Sequence, residues 1–433
     1  MSAPDFSVEI FHNEFLPAGA REVNAIVTVT SAGDVASEQP AAAGAAEIII
    51  VDCSGSMAAP ITKLIQAREA TAVAIDAIRD GVAFAVIAGS HVAAPLFPPR
   101  GGLAISSAAV REEAKRELRR LRANGGTAIG EWLQLARRQF ETRDDSLRHA
   151  ILLTDGRNEG ESAHDLAAAI AWCEGVFRCD CRGVGTDWKV DELRKISTAL
   201  LGTVDIVPDP AGLAADFEAM MHASMAKQVA DVALQVWTPQ HAKIRFVKQV
   251  APTVEDLTAR RTQLTPQKGD YPTGAWAAGE SRDYHVCVDV QPAGLGQEML
   301  AARVSLVYGT PEGPQALGQG QIKTTWTDDE ALSTKISREV AHYTGQVELA
   351  QAIQDGLEAR KHGDVVTAEA ALSRAVALAR ESGNADTAGL LAKVVDVDPA
   401  TGVVRLKAKV ADADEMKLDT QSSKTVRVKK GPS

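Results

Sequence analysis

Asp52, Ser54 and Ser56 place one carboxylate and two hydroxyls within five residues, directly after the branched apolar run Ile48-Ile-Ile-Val51. All three are hard oxygen donors, and hard oxygens around an octahedral centre suit magnesium, calcium or manganese. A continuous apolar run of this kind reads as a parallel strand buried on both faces. Its carboxyl end is where open α/β sheets place their ligands. Nucleophilic chemistry at Ser54 is the weaker reading, because the stretch lacks G-x-S-x-G and no base can be identified. No phosphate-binding glycine loop of the P-loop kind occurs in the chain.

Two further stretches offer partners for this cluster. Asn124-Gly-Gly-Thr127 puts a hydroxyl in a glycine loop at the start of a helix, and Thr154-Asp155-Gly156 closes the apolar run 149–154. The elements that must carry these groups alternate over residues 45–225 as in a doubly wound sheet. Strands are predicted at 46–51, 81–87, 149–154, 178–185 and 202–207. A further strand at 91–97 is assigned to an edge, because Pro95 and Pro98 interrupt it. Helices are predicted at 61–78, 108–122, 129–140, 162–173, 190–199 and 213–225.

The D-x-S-x-S pattern, the threonine loop and the aspartate at a strand end together resemble the von Willebrand factor A (VWA) family and its metal-ion-dependent adhesion site. The resemblance implies that Ser54, Ser56 and Thr127 contact a metal directly, with Asp52 and Asp155 acting directly or through water. It implies Mg2+, with Ca2+ or Mn2+ as alternatives. Three neutral hydroxyls and two carboxylates leave such an ion under-neutralised with a coordination position open, which an Asp or Glu carboxylate of a protein partner could fill.

Around this domain the chain changes character. Residues 6–12 and 22–30 read as strands with apolar residues at period two, and 31–44 as a linker. Alternating strands at 231–237, 242–250, 281–290 and 300–308 suggest that 226–327 completes a β-sandwich begun by residues 1–44. The expected fold is therefore α/β, with a doubly wound, mostly parallel VWA (Rossmann-like) sheet at 45–225 inserted in an antiparallel β-sandwich. A helical bundle is expected at 328–394, its first stripe running from Leu332 and Ile336 to Leu357. Residues 395–433 are expected to form a short hairpin and then a flexible polar tail. Thr420 and Thr425 lie in that tail; an exposed threonine with Val428 three places on suits a Ser/Thr kinase and then an FHA-domain partner.

Composition narrows the function classes. Against 46 Lys+Arg stand 57 Asp+Glu, a net charge of −11, which argues against a nucleic-acid-binding surface. No membrane span and no secretory signal are visible. Cys53, Cys173, Cys179, Cys181 and Cys287 lack framework spacing and read as reduced, buried thiols. His149 and His164 have no spaced metal-binding partner. The expectation is a cytoplasmic, non-enzymatic interaction protein that uses its metal to hold an acidic group, in a scaffold or phospho-signalling role. The alternative, also from the family resemblance, is an accessory subunit of an AAA+ (MoxR- or chelatase-type) ATPase.

Overall fold

Ile48, Ile49, Ile50 and Val51 are all fully buried, as a strand covered on both faces requires. A computed structural model describes residues 5–32, 44–144, 147–310, 313–398 and 403–428. The chain forms two compact units: Ala36–Gln228, and Met1–Val35 together with Val229–Ser433.

In the first unit the sheet runs in the order Val204–Val207, Arg178–Val184, Leu147–Thr154, Ala45–Asp52, Ala83–Gly89, Ala93–Phe97. The first five are parallel, and Ala93–Phe97 is the antiparallel edge that its prolines predict. Ala104–Ile105 adds a short antiparallel pairing to Ala83–Gly89. From Ala45–Asp52 the chain goes to a neighbour on one side, Ala83–Gly89, and later to the neighbour on the other, Leu147–Thr154. Those three strand ends therefore surround a topological switch point. One face of the sheet packs Ile49, Val51, Ile151 and Leu153 against Leu64, Ala67, Ile75, Phe217 and Met221 of the covering helices.

The second unit is a sandwich of two sheets. One has the order Phe6–His12, Glu22–Ser31, Ser281–Val290, Ala242–Ala251, Glu255–Asp256; the other Thr262–Thr265, Lys268–Ala277, Lys227–Trp237, Glu298–Tyr308, Gln315–Thr327, Phe15–Pro17. Val27, Val29, Leu234, Trp276, Tyr284, Val286, Val304 and Trp326 share the core between them. Glu22–Ser31 is paired on both sides, with Phe6–His12 and with Ser281–Val290, so the sequence-distant strands belong to one sheet. Two long strands escaped the sequence reading. Lys268–Ala277 contains Gly269, Pro272 and Gly274, and its buried alternation is carried by Gly269, Tyr271, Thr273 and Ala275. Gln315–Thr327 contains Gly318 and Gly320, where a β-carbon would come within 2.8 Å of Val8 and 2.4 Å of Ile10 in the facing sheet. Gln315–Thr327 thereby trades apolar side chains for close approach of the facing sheet, while Gly269 makes room for the Arg261 side chain.

Helices Arg338–Lys361, Val365–Glu381 and Ala385–Val394 follow, with Val395–Val397 and Val404–Leu406 paired antiparallel. Leu332 and Ile336 do not join the long helix as expected. Both are exposed, and the helix starts after Ser337, whose hydroxyl accepts the Val340 amide as its cap. The flexible tail is also corrected. Asp412–Gln421 is a helix with Leu418 fully buried and Thr420 only 3% exposed. Beyond it, the Thr425 hydroxyl donates to the Val250 carbonyl at 2.7 Å and its amide to the Pro252 carbonyl at 3.0 Å. The exposed, flexible setting expected for phosphorylation of Thr420 and Thr425 is therefore not what these threonines have. One apolar anchor and main-chain pairing order this segment, and neither leaves a strong mark on composition.

His149 is not the ordinary histidine its spacing suggested. Its Nδ1 lies 2.7 Å from Glu47 and its Nε2 2.9 Å from Asp180, so three neighbouring strands contribute to one buried charge cluster. Burial alone would push the imidazole pKa down, but the Glu47 and Asp180 carboxylates push it up to about 9. Asp180, which burial alone would raise, is pulled well below the usual carboxylate range by His149. A histidine whose pKa rises on folding, here from 6.5 to about 9, stabilises fully below about pH 6.5 and loses that contribution as pH rises through about 9. Urea unfolding should show wild type losing on the order of 3 kcal/mol across this window. His149→Gln should be less stable at pH 6 and show a much flatter dependence. Parallel curves for the two proteins would contradict the assignment.

Candidate functional site

The central strand stops at Asp52 because its side chain takes over the next turn: Oδ1 accepts the Ser54 amide at 2.7 Å. A short 3-10 turn, Gly55–Ala58, leads to the helix Thr62–Ala77. Backbone hydrogen bonds tie this loop to its neighbours. The Cys53 amide donates to Gly89, the Asn124 amide to Cys53, and the Gly55 amide to Gly125. Gly125 has φ +80° and sits against His91, leaving no room for a side chain. The threonine loop is fixed from its other side as well. The Thr127 carbonyl accepts the Gly160 amide at 2.6 Å, and Asn158 and Glu161 accept the Ile129 and Gly130 amides at the start of Ile129–Phe140. The loop after Ala45–Asp52, the loop leading into Ile129–Phe140 and the loop after Leu147–Thr154 are thereby locked together.

The five residues singled out from the sequence converge in this assembly. A β-carbon built on Gly156 would lie 3.3 Å from both Ser56 Oγ and Thr127 Oγ1 and 4.0 Å from Ser54 Oγ. Ser54 Oγ is 2.9 Å from Ser56 Oγ, and Ser56 donates to Asp155 Oδ1 at 2.6 Å. With its proton on Asp155, the Ser56 oxygen accepts from Ser54 and keeps one further lone pair for another partner. Asp52, Ser54, Thr127 and Asp155 are buried, while Ser56 is exposed and opens the cradle to solvent.

This donor set fits a small hard cation: two carboxylates and three hydroxyl oxygens around a space that a single methyl group would invade. Among the described residues no group of three or more His, Cys, Asp and Glu could hold a metal. Any cation site here must therefore lean on hydroxyls, which disfavours soft metals.

Two residues of the site went unassigned in the sequence. Thr154 donates to Asp52 Oδ2 at 2.6 Å, so both Asp52 oxygens are held by neutral donors. Its signal was its place directly before Asp155. Lys63 donates to Asp155 Oδ2 at 2.7 Å, an ion pair across the start of Thr62–Ala77 that the helical pattern alone does not mark. Burial raises the Asp52 pKa to about 6, despite the Ser54 and Thr154 hydrogen bonds that lower it.

Gly156→Ala should leave the fold in place, since its backbone is outside the left-handed region, but should weaken divalent-cation binding by about tenfold or more through the cramped cradle. Calorimetric titration with unchanged affinity would show that the space at Gly156 is not the cation's. Because a cation and a proton compete for Asp52, affinity should be flat above pH 7 and fall about tenfold per unit below about pH 6. The same titration between pH 5 and 8 reads this directly.

Comparison with known proteins agrees with this architecture. The model of the von Willebrand factor type A domain matches residues 46–206, and that of the von Willebrand factor type A C-terminal domain matches 377–422. A solved structure described as von Willebrand factor type A from Catenulispora acidiphila is 53% identical, covers 98% of each chain, and superposes with a TM-score of 0.94. The ArnB paralog VWA2 from Sulfolobus acidocaldarius is 12% identical over 96% of this chain and 98% of its own, with a TM-score of 0.59, a likeness of fold alone. An uncharacterized protein of Synechocystis sp. is 27% identical over 219 residues, 49% of this chain. The match spans half of that relative's length.

Proposed function

This chain belongs to the von Willebrand factor type A family, and we propose that it is a binding protein that captures an acidic group of a protein partner at a divalent cation. Ser54, Ser56 and Thr127, with Asp52 and Asp155, would hold the ion, for which magnesium is our first choice. The observation that carries this reading is the convergence of three hydroxyls on the space beside Gly156, between two buried carboxylates. When bound, a hard divalent ion held by so few charges supplies an open position for a carboxylate oxygen. The chain's own residues do the rest. Thr154 and the Ser54 amide fix the Asp52 carboxylate, Ser56 and Lys63 fix that of Asp155, and the interlocked loops keep the hydroxyls in place without the partner.

We assign the protein to binding rather than catalysis because both carboxylates of the site are already engaged, Asp52 by two neutral donors and Asp155 by Ser56 and the Lys63 ammonium. A reducing, cytoplasmic setting suits its five free and buried cysteines. Among the described residues no helix is long and apolar enough to cross a membrane.

Capture from lysate of the source cell, with and without EDTA, tests the proposal. A partner retained in magnesium should be released by EDTA, and retention should fall at least about tenfold in Asp52→Ala and Thr127→Ala, with circular dichroism confirming that each is folded at the assay temperature. Capture indifferent to EDTA and to both substitutions would overturn the metal bridge.

A further inference from the structure

The two carboxylates of the site are held in different ways. Asp52 has only neutral donors, the Ser54 amide and the Thr154 hydroxyl. Asp155 has the Ser56 hydroxyl on Oδ1 and a full positive charge on Oδ2, the Lys63 ammonium at 2.7 Å. This lysine is not a surface side chain that happens to reach inward. It stands within the first turns of Thr62–Ala77, and its side chain is only 10% exposed against a fully buried partner. A second carboxylate waits on the other side of the same ammonium: Asp187 Oδ2 is 3.4 Å away, on an aspartate that is 75% exposed.

We propose that Lys63 is an internal counter-ion that competes with the divalent cation for Asp155, and that Asp187 takes the ammonium over when the cation binds. The inference rests on the cation-site reading above and deepens it. A divalent ion joining Asp155 meets a unit positive charge a few ångströms away. At the effective dielectric near a protein surface such a repulsion is worth more than about tenfold in affinity. Moving the ammonium toward Asp187, whose Oδ2 is already 3.4 Å away, relieves it. The loaded site is then balanced in two separate parts, the cation by Asp52 and Asp155 and Lys63 by Asp187. In the cation-free protein the same lysine keeps the buried Asp155 charge compensated, so release of the ion does not leave a bare carboxylate in the fold. Lys63 thus sets the concentration at which the site loads, and Asp187 sets how far Lys63 opposes loading.

The test is calorimetric titration of the full chain with Mg2+ alone, at neutral pH and fixed ionic strength. It compares wild type, Lys63→Met, Asp187→Asn and the double variant. Methionine keeps the length of the buried stem, and Lys63→Gln gives a second neutral side chain should methionine not fold; circular dichroism confirms the fold of each. Lys63→Met or Lys63→Gln should bind Mg2+ more than about tenfold more tightly than wild type. Asp187→Asn should bind severalfold more weakly, and this loss should vanish when Lys63 is already neutral. Unchanged or weaker binding after neutralising Lys63 would overturn the inference. So would an Asp187→Asn loss of the same size in both backgrounds, because that pattern reports field strength without a handover. Binding in the Lys63 variants where wild type shows none would support the competition strongly. No binding in any of the proteins would instead bring down the cation site itself, and the inference with it.

Discussion

Two carboxylates sit side by side at the carboxyl edge of a buried parallel sheet, and the site is arranged around the need to keep them charged there. Asp52 and Asp155 are both fully buried, each at the end of a strand whose apolar residues leave it no solvent. An ionised group so placed is costly unless hydrogen bonds or opposite charge compensate it. The Asx turn after Asp52, the Thr154 hydroxyl, the Ser56 hydroxyl and the Lys63 ion pair each answer that need. The fixed loops are a consequence. Backbone that must aim amides and hydroxyls at two carboxylates has few other conformations open to it.

A second cluster of buried charge lies toward the amino ends of the same strands, and it is solved differently. There the histidine is the middle member, flanked by Glu47 and Asp180 on the neighbouring strands, and further hydrogen bonds from Ser224 and Thr203 complete the set. That cluster is closed: its ring nitrogens and carboxylates have partners within the protein. The cluster at the other end keeps an exposed serine and a space bounded by hydroxyls. Closed networks rigidify, whereas open ones with unspent donor capacity bind.

Much of this was legible in the sequence because it is written in side-chain type at fixed spacing. Ile48 to Val51 followed by Asp52, Ser54 and Ser56 gave the strand and its cluster of oxygen donors together. Thr127 and Asp155 were found through glycine loops and strand ends, and the structure brings all five to one place. What remained hidden depends on distance across the fold. Lys63 looks like any helical lysine until Asp155, 92 residues away, is brought to its ammonium. His149 looked unpartnered because its carboxylates stand on adjacent strands at separations of 102 and 31 residues. The strands Lys268–Ala277 and Gln315–Thr327 were obscured by glycines whose value lies in what they let approach. The terminal helix was hidden because Leu418 is its one buried apolar side chain, joined by the buried polar Asp419 and Thr420 that composition does not mark.

The pairing of Glu22–Ser31 with Ser281–Val290 also imposes an order on how the molecule comes into being. During synthesis the chain emerges amino end first, and the hairpin of Phe6–His12 and Glu22–Ser31 appears long before its third strand exists. The parallel sheet, by contrast, is complete once residues 45–225 are out, and it draws its contacts from one continuous stretch. Contacts that span most of the chain are slow to form, and domains fold as units as they leave the ribosome. The nascent protein therefore carries an open β edge throughout the making of its parallel-sheet domain, and an unpaired edge is a template for association with other strands.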